Sequence, residues 1–196
     1  MNNIHIYHPL FDYRDKEFIS SPYGKRDGGD GFHDGLDIKA PRGTQIRVVS
    51  EGRVVRVVYN HDVYGNYIVV EHNGFCTLYA HLNSISVTEG AYVTSRMVIG
   101  TVGTTGKSSG NHLHFEIRNT TYNSTTFWNS EQGKYKNSVN PEHYLPPVWK
   151  ENTMIQAYNL GLITSFQHKP TEPIDFGTVL TIIIRLVGKL QLIIKP

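Results

Sequence analysis

The chain has 196 residues, 39% hydrophobic and 18% charged, with a formal net charge of +2. That length holds one sizeable core plus a small appendage, and the near-balanced charge, without any Lys/Arg run, excludes an electrostatic nucleic-acid binder. The single Cys76 excludes an intrachain disulfide framework and a cysteine-based zinc site, whereas ten histidines make imidazole the enriched ligand type.

Residues 1–17 carry little pattern and read as an N-terminal arm. Met1-Asn2-Asn3-Ile4-His5 lacks a basic start and an apolar segment, so the expectation is a protein made in the cytoplasm without a signal peptide. Ser21-Pro22-Tyr23-Gly24 signals a turn, and 25–31 is a polar, glycine-rich loop able to sit beside a cleft. Phe32-His33-Asp34-Gly35-Leu36-Asp37-Ile38 follows. Fully extended, this stretch would hold the Cα atoms of His33 and Asp37 about 13 Å apart, too far to share one ion. A bend at Asp34-Gly35, with Gly35 supplying unusual dihedrals, brings the two side chains together and leaves Leu36 and Ile38 as core anchors. Taken alone, a surface loop is the plainer reading of these residues.

Short strands are expected next, at 45–50, 53–59, 67–72, 75–79, 91–93, 98–102 and 112–118, rich in Val, Ile and Tyr and separated by Gly, Asn and Asp. Asn73-Gly74 marks a tight hairpin. Phe75-Cys76-Thr77-Leu78-Tyr79 places the one thiol as a small packed hydrophobe. His81, in Tyr79-Ala80-His81-Leu82, ends a strand, where it serves either structure or a cleft.

Gly110-Asn111-His112-Leu113-His114-Phe115-Glu116-Ile117-Arg118 alternates polar and apolar residues. On a strand, alternate side chains share a face, so His112, His114 and Glu116 point one way while Leu113, Phe115 and Ile117 enter a core. The two histidine Cα atoms would lie about 6.6 Å apart, which suits one ligand and one neighbour of an open metal position. Residues 119–139 form a polar insertion whose Tyr122, Phe127 and Trp128 either stack on a ligand or tether the loop to its own domain. Pro146-Pro147 stiffens a boundary. Beyond it, 149–160 and 178–190 carry apolar residues at helical spacing. The apolar stretch 179–194 is broken by Arg185, Lys189 and Gln191 and falls short of the about 20 residues of a membrane span. The expected organisation is an arm (1–17), a mainly β antiparallel sandwich or barrel-like domain (18–147) and a small helical module (148–196).

His33, Asp37 and His114 supply two imidazoles and a carboxylate, and three protein ligands with one open position suit a catalytic zinc. Iron accepts similar sets, but nothing in the residues points to redox work. Zinc lowers the pKa of bound water to about 7 and polarises a carbonyl. His81 and His112 remain as the groups that move protons, and the spacing leaves open which is the base. Glu116 either orients a ligand histidine or is a plain surface carboxylate.

The segments 32–38, 79–82 and 110–116 resemble the three signatures of the lysostaphin-type zinc endopeptidases. Ala40-Pro41-Arg42-Gly43-Thr44, Tyr64-Gly65-Asn66 and Gly100-Thr101-Val102-Gly103 extend the resemblance over about residues 20–145. It implies a β-sandwich with a groove, one zinc per chain held by His33, Asp37 and His114, and His81 with His112 as the catalytic pair. It also implies peptide-bond cleavage in bacterial peptidoglycan, at stem-peptide crosslinks or interpeptide bridges, in the manner of a phage lysin that reaches the wall after release. The tail resembles short helical repeats of wall hydrolases and implies a wall-attachment, dimerisation or capping piece. Two other functions compete: a non-catalytic wall binder or activator of the same fold, which chelation would leave intact, and a carbohydrate-binding sandwich, which leaves the His/Asp set without a purpose.

Overall fold

The computed structural model describes residues 6–13, 16–26, 31–123, 127–131 and 134–146. The two expected helices, and with them the 148–196 module, lie outside the described residues. Among the described residues fifteen short strands carry the fold: β1 (Ile19–Ser21), β2 (Gly24–Lys25), β3 (Phe32–His33), β4 (Leu36–Lys39), β5 (Gln45–Arg47), β6 (Gly52–His61), β7 (Gly65–Glu71), β8 (Cys76–Ala80), β9 (Leu82–Ile85), β10 (Tyr92–Val93), β11 (Val98–Val102), β12 (His112–Arg118), β13 (Ser130–Glu131), β14 (Lys134–Tyr135) and β15 (Ser138–Val139). Among the described residues no helix is long and apolar enough to cross a membrane.

The main sheet runs β1-β4-β12-β8-β7-β6-β10, antiparallel throughout, and β15 pairs the far end of β12. A second sheet runs β5-β11-β9. The barrel-like expectation does not hold. The main sheet is open and ends at β1 and β10, strands of three and two residues that pair on one side only among the described residues. Alternation records which face of a strand is buried; an open sheet and a closed one share that record, so closure was not written in it.

The strands at 98–102 and 112–118 fall where the pattern places them, and the Asn73-Gly74 turn joins β7 to β8 with Gly74 at φ +86°. Leu113, Phe115 and Ile117 are fully buried on one face of β12, with Leu36 and Ile38 of β4 beside them. Each such side chain contributes about 1.5–3 kcal/mol relative to exposure. Ile46, Leu82, Ile99 and Val102 bring apolar side chains from the second sheet into the interior, and β9 lies against β7. Part of the arm packs here as well: Ile6 and Leu10 are buried, and the Tyr7 N–H donates to the Val49 carbonyl at 2.8 Å.

The opposite face of the main sheet carries the polar half of β12. Beside it lie Tyr64, Tyr67, Val69, Cys76, Leu78 and Ala80, covered by Phe127 with Tyr122 and Trp128. The aromatics of the 119–139 insertion therefore tether it to its own domain. Cys76 is buried among them, and burial pushes its thiol up to about 12, so it packs and does not react at neutral pH.

Candidate metal centre

The sheet register brings the first two site residues together. His114 of β12 sits directly opposite Asp37 of β4, and opposed residues project to the same face. His33 arrives from β3, which pairs with β2 at Gly24, and the chain bends at Gly35 before β4 begins. The bend is as expected, but its cause is different. Gly35 does not take a left-handed φ. A Cβ there would lie 2.7 Å from His114 Cε1 and 2.7 Å from the Phe115 carbonyl oxygen, so glycine is needed for close approach.

His33 Nε2, Asp37 Oδ1 and His114 Nδ1 converge. The separations are 3.2 Å from His33 to Asp37, 3.1 Å between the imidazoles and 2.8 Å from His114 to Asp37. Atoms able to ligate one ion from these three residues all lie within 4.8 Å of one another. The outer nitrogens decide what the inner ones present. His33 Nδ1 lies 2.8 Å from the Pro22 carbonyl oxygen and His114 Nε2 lies 2.9 Å from Glu116 Oε1. A carbonyl or carboxylate oxygen only accepts, so each outer nitrogen carries a proton, and each ring in its neutral form turns a lone pair inward. With both rings neutral, the three atoms facing one another suit a cation held between them. Two imidazoles and a carboxylate with one open position fit zinc.

Burial opposes ionisation of Asp37, but hydrogen bonds from His114 and His33 overcome it and hold the carboxyl well below the usual range. Burial likewise opposes the charged form of His114, yet its hydrogen bonds to Asp37 and Glu116 raise it to about 9.

His81 and His112 form a second pair alongside, their ring centroids 4.7 Å apart, with His81 5.8 Å from His114. His81 Nδ1–H donates to the Thr105 carbonyl at 2.8 Å, and His112 Nδ1–H to the Gly110 carbonyl at 2.8 Å. Both Nε2 atoms therefore bear lone pairs, and that of His112 stands 3.7 Å from Asp37 Oδ1. His81 links β8 to β9 at φ +62°. A non-glycine residue held there costs on the order of 1 kcal/mol, and the donation of its N–H to Tyr64 O at 2.9 Å helps hold it. Burial, the largest influence, brings His81 down to about 4, with the neighbouring His114 and His112 adding to it.

Glu116 is no surface carboxylate: it is fully buried. Its Oε1 accepts from His114 and from the Tyr64 hydroxyl at 2.8 Å, and its Oε2 accepts from Arg118 Nε at 2.7 Å and from Nη2. Burial works to raise Glu116, but the Arg118 guanidinium and the His114 hydrogen bond bring it down to about 2. Arg118, Tyr64 and Asp34 are parts of the site that sequence reasoning missed. For Arg118 a signal existed, since it continues the polar alternation of 112, 114 and 116.

A family model, peptidase family M23, matches residues 31–137. The DD-carboxypeptidase/endopeptidase Mpg of Neisseria meningitidis is 44% identical over 105 residues, covering 51% of this chain and 24% of that protein. The peptidoglycan DD-endopeptidase ShyB of Vibrio cholerae is 41% identical over 86 residues, covering 43% and 20%. The chain thus spans about a quarter or less of the length of these curated relatives. Among solved structures, the catalytic domain of lysostaphin from Staphylococcus simulans aligns with a TM-score of 0.55 at 25% identity, covering 69% of this chain and 93% of that one. The catalytic domain of the prophage-encoded M23 protein EnpA from Enterococcus faecalis aligns at 0.52 and 29%, covering 66% and 93%. The match over residues 31–137 takes in the three strands that carry His33, Asp37 and His114 and also the His81/His112 pair, and on it the chain belongs to peptidase family M23.

Proposed function

We propose that the chain is a zinc-dependent endopeptidase that hydrolyses peptide bonds in bacterial peptidoglycan. His33, Asp37 and His114 would hold one zinc ion, and the observation that carries this reading is the set of three inward lone pairs. Such an ion supplies Lewis acidity, making water acidic near neutral pH and polarising a carbonyl.

The remaining steps belong to His81 and His112. One imidazole accepts the proton that water gives up on attack and returns a proton to the departing amine. Its neighbour, in its imidazolium form with Nε2 protonated, donates to the carbonyl oxygen as negative charge develops. Burial keeps His81 neutral at neutral pH, which leaves its Nε2 able to accept. That the Vibrio relative is a peptidoglycan DD-endopeptidase supports the wall as substrate, and the DD specificity it shares with the Neisseria relative favours the crosslink over the interpeptide bridge. A phage-type lysin is a second setting in which the same chemistry would serve. Residues 148–196 are assigned to wall attachment or dimerisation, to be tested by wall binding and oligomeric state with and without them.

The deciding experiment is mass spectrometry of fragments released from purified walls of different crosslink types. New amine ends are expected from one crosslink type, lost on chelation and restored by zinc. Wall binding that survives chelation, with no fragment released, would instead identify a non-catalytic binder.

A further inference from the structure

We propose that the described residues of the returning half of the insertion, 127–131 and 134–139, form a brace that grips both ligand-bearing segments through Tyr135 and Arg118, making Glu116 and Arg118 positioning residues for His114. This rests on the zinc reading of His33, Asp37 and His114.

On the β12 side, Arg118 is fully buried. Its Nη1 donates to the Phe127 carbonyl at 2.6 Å, and its guanidinium lies 3.9 Å from the Tyr135 ring centroid, 4.4 Å from that of Phe127 and 5.1 Å from that of Trp128. The other donors hold Glu116 Oε2, which leaves Oε1 to receive the His114 Nε2 proton. On the β3–β4 side, the Tyr135 N–H donates to Asp34 Oδ1 at 3.0 Å, and the Ser138 hydroxyl donates to the same oxygen at 2.6 Å. Asp34 follows the ligand His33 and precedes the Gly35 bend. The Tyr23 hydroxyl, one residue past the carbonyl that holds His33, donates to the Ser138 carbonyl at 3.0 Å. Tyr135 thus touches both segments, its ring on one and its backbone on the other.

Stability alone is a poor reason for this arrangement. A buried Arg–carboxylate pair is often replaceable by packed apolar residues at no loss. What it supplies is direction: a planar fork holds a carboxylate in one orientation, and the partner of a ligand histidine sets its tautomer and ring angle.

The test is zinc affinity of the full chain, measured by competition with a chelator, alongside thermal unfolding. Glu116→Gln presents an amide that cannot accept from both Arg118 and His114, and should weaken zinc about 10–100-fold. Tyr135→Leu should weaken it by a smaller factor, and Tyr135→Phe, which keeps the ring under Arg118 and the N–H on Asp34, should restore the parent value. If Glu116→Gln does not fold, the Tyr135 pair of variants decides. Tyr135→Leu with lowered thermal stability but parental zinc affinity overturns the brace. A parent that binds no zinc overturns the brace and the zinc reading together.

Discussion

The two histidine pairs are built alike and end up doing different things. Each of the four rings gives one N–H to a fixed oxygen, which leaves its other nitrogen free to face the site. His33 and His114 have Asp37 Oδ1 between them at 3.2 and 2.8 Å. In the other pair His112 reaches that oxygen only at 3.7 Å. On the proposed function, the placement of one carboxylate separates the rings that would gather round an ion from the rings that would exchange protons beside it.

Breaking the first pair has the largest effect. His114→Ala should abolish stoichiometric zinc and wall lysis together, read by metal analysis and turbidity; retained zinc removes His114 from the ligand set. Breaking the second pair should spare the metal. His81→Ala and His112→Ala should each keep zinc and lose turnover by about 10²–10⁴, and near-parental turnover in either removes that residue from the proton-transfer pair. Gly35→Ala tests the spacing between the pairs' frames, since its Cβ meets the His114 ring and the Phe115 carbonyl. An overpacked position of this kind costs about 1–3 kcal/mol, and chemical denaturation should show it.

The smallest effect comes from a histidine outside both pairs. Burial lowers His72 to about 4 as it does His81, but its nitrogens contact Glu51 O and Thr77 Oγ1, both at 2.8 Å. Its neutral form is favoured by folding, so its contribution is complete above pH about 6.5, the unfolded value. It is lost as pH falls from there through the folded value, because the unfolded chain binds the proton more readily. His72→Gln should therefore flatten the acid limb of the stability curve relative to the parent, by about 1 kcal/mol near pH 5.5. An unchanged pH slope would show that burial does not govern His72.

Much of this was legible in the chain, for identifiable reasons. Alternation over 112–118 placed the strand, its buried face and its polar face, because period two survives any packing. His33 and Asp37 needed the bend, and Gly35 announced it, though for a steric purpose that only the His114 ring reveals. The strand Leu82–Ile85 went unread because His81 turns the chain with a backbone conformation that non-glycine residues rarely adopt. Arg118 went unread because a charged residue at the end of an amphipathic strand looks solvated. Its aromatic cage comes from residues nine to seventeen positions later in the chain, a distance at which local pattern is silent.

The cross-strand opposition of Asp37 and His114 has a consequence for assembly. A slip of one residue between β4 and β12 would send one donor to the other side of the sheet, and no ion could then be shared. Metal uptake is coupled to folding in such sites. On the proposed zinc reading, the ion would therefore serve as a proofreader, rewarding only molecules whose central strands have closed in the correct alignment.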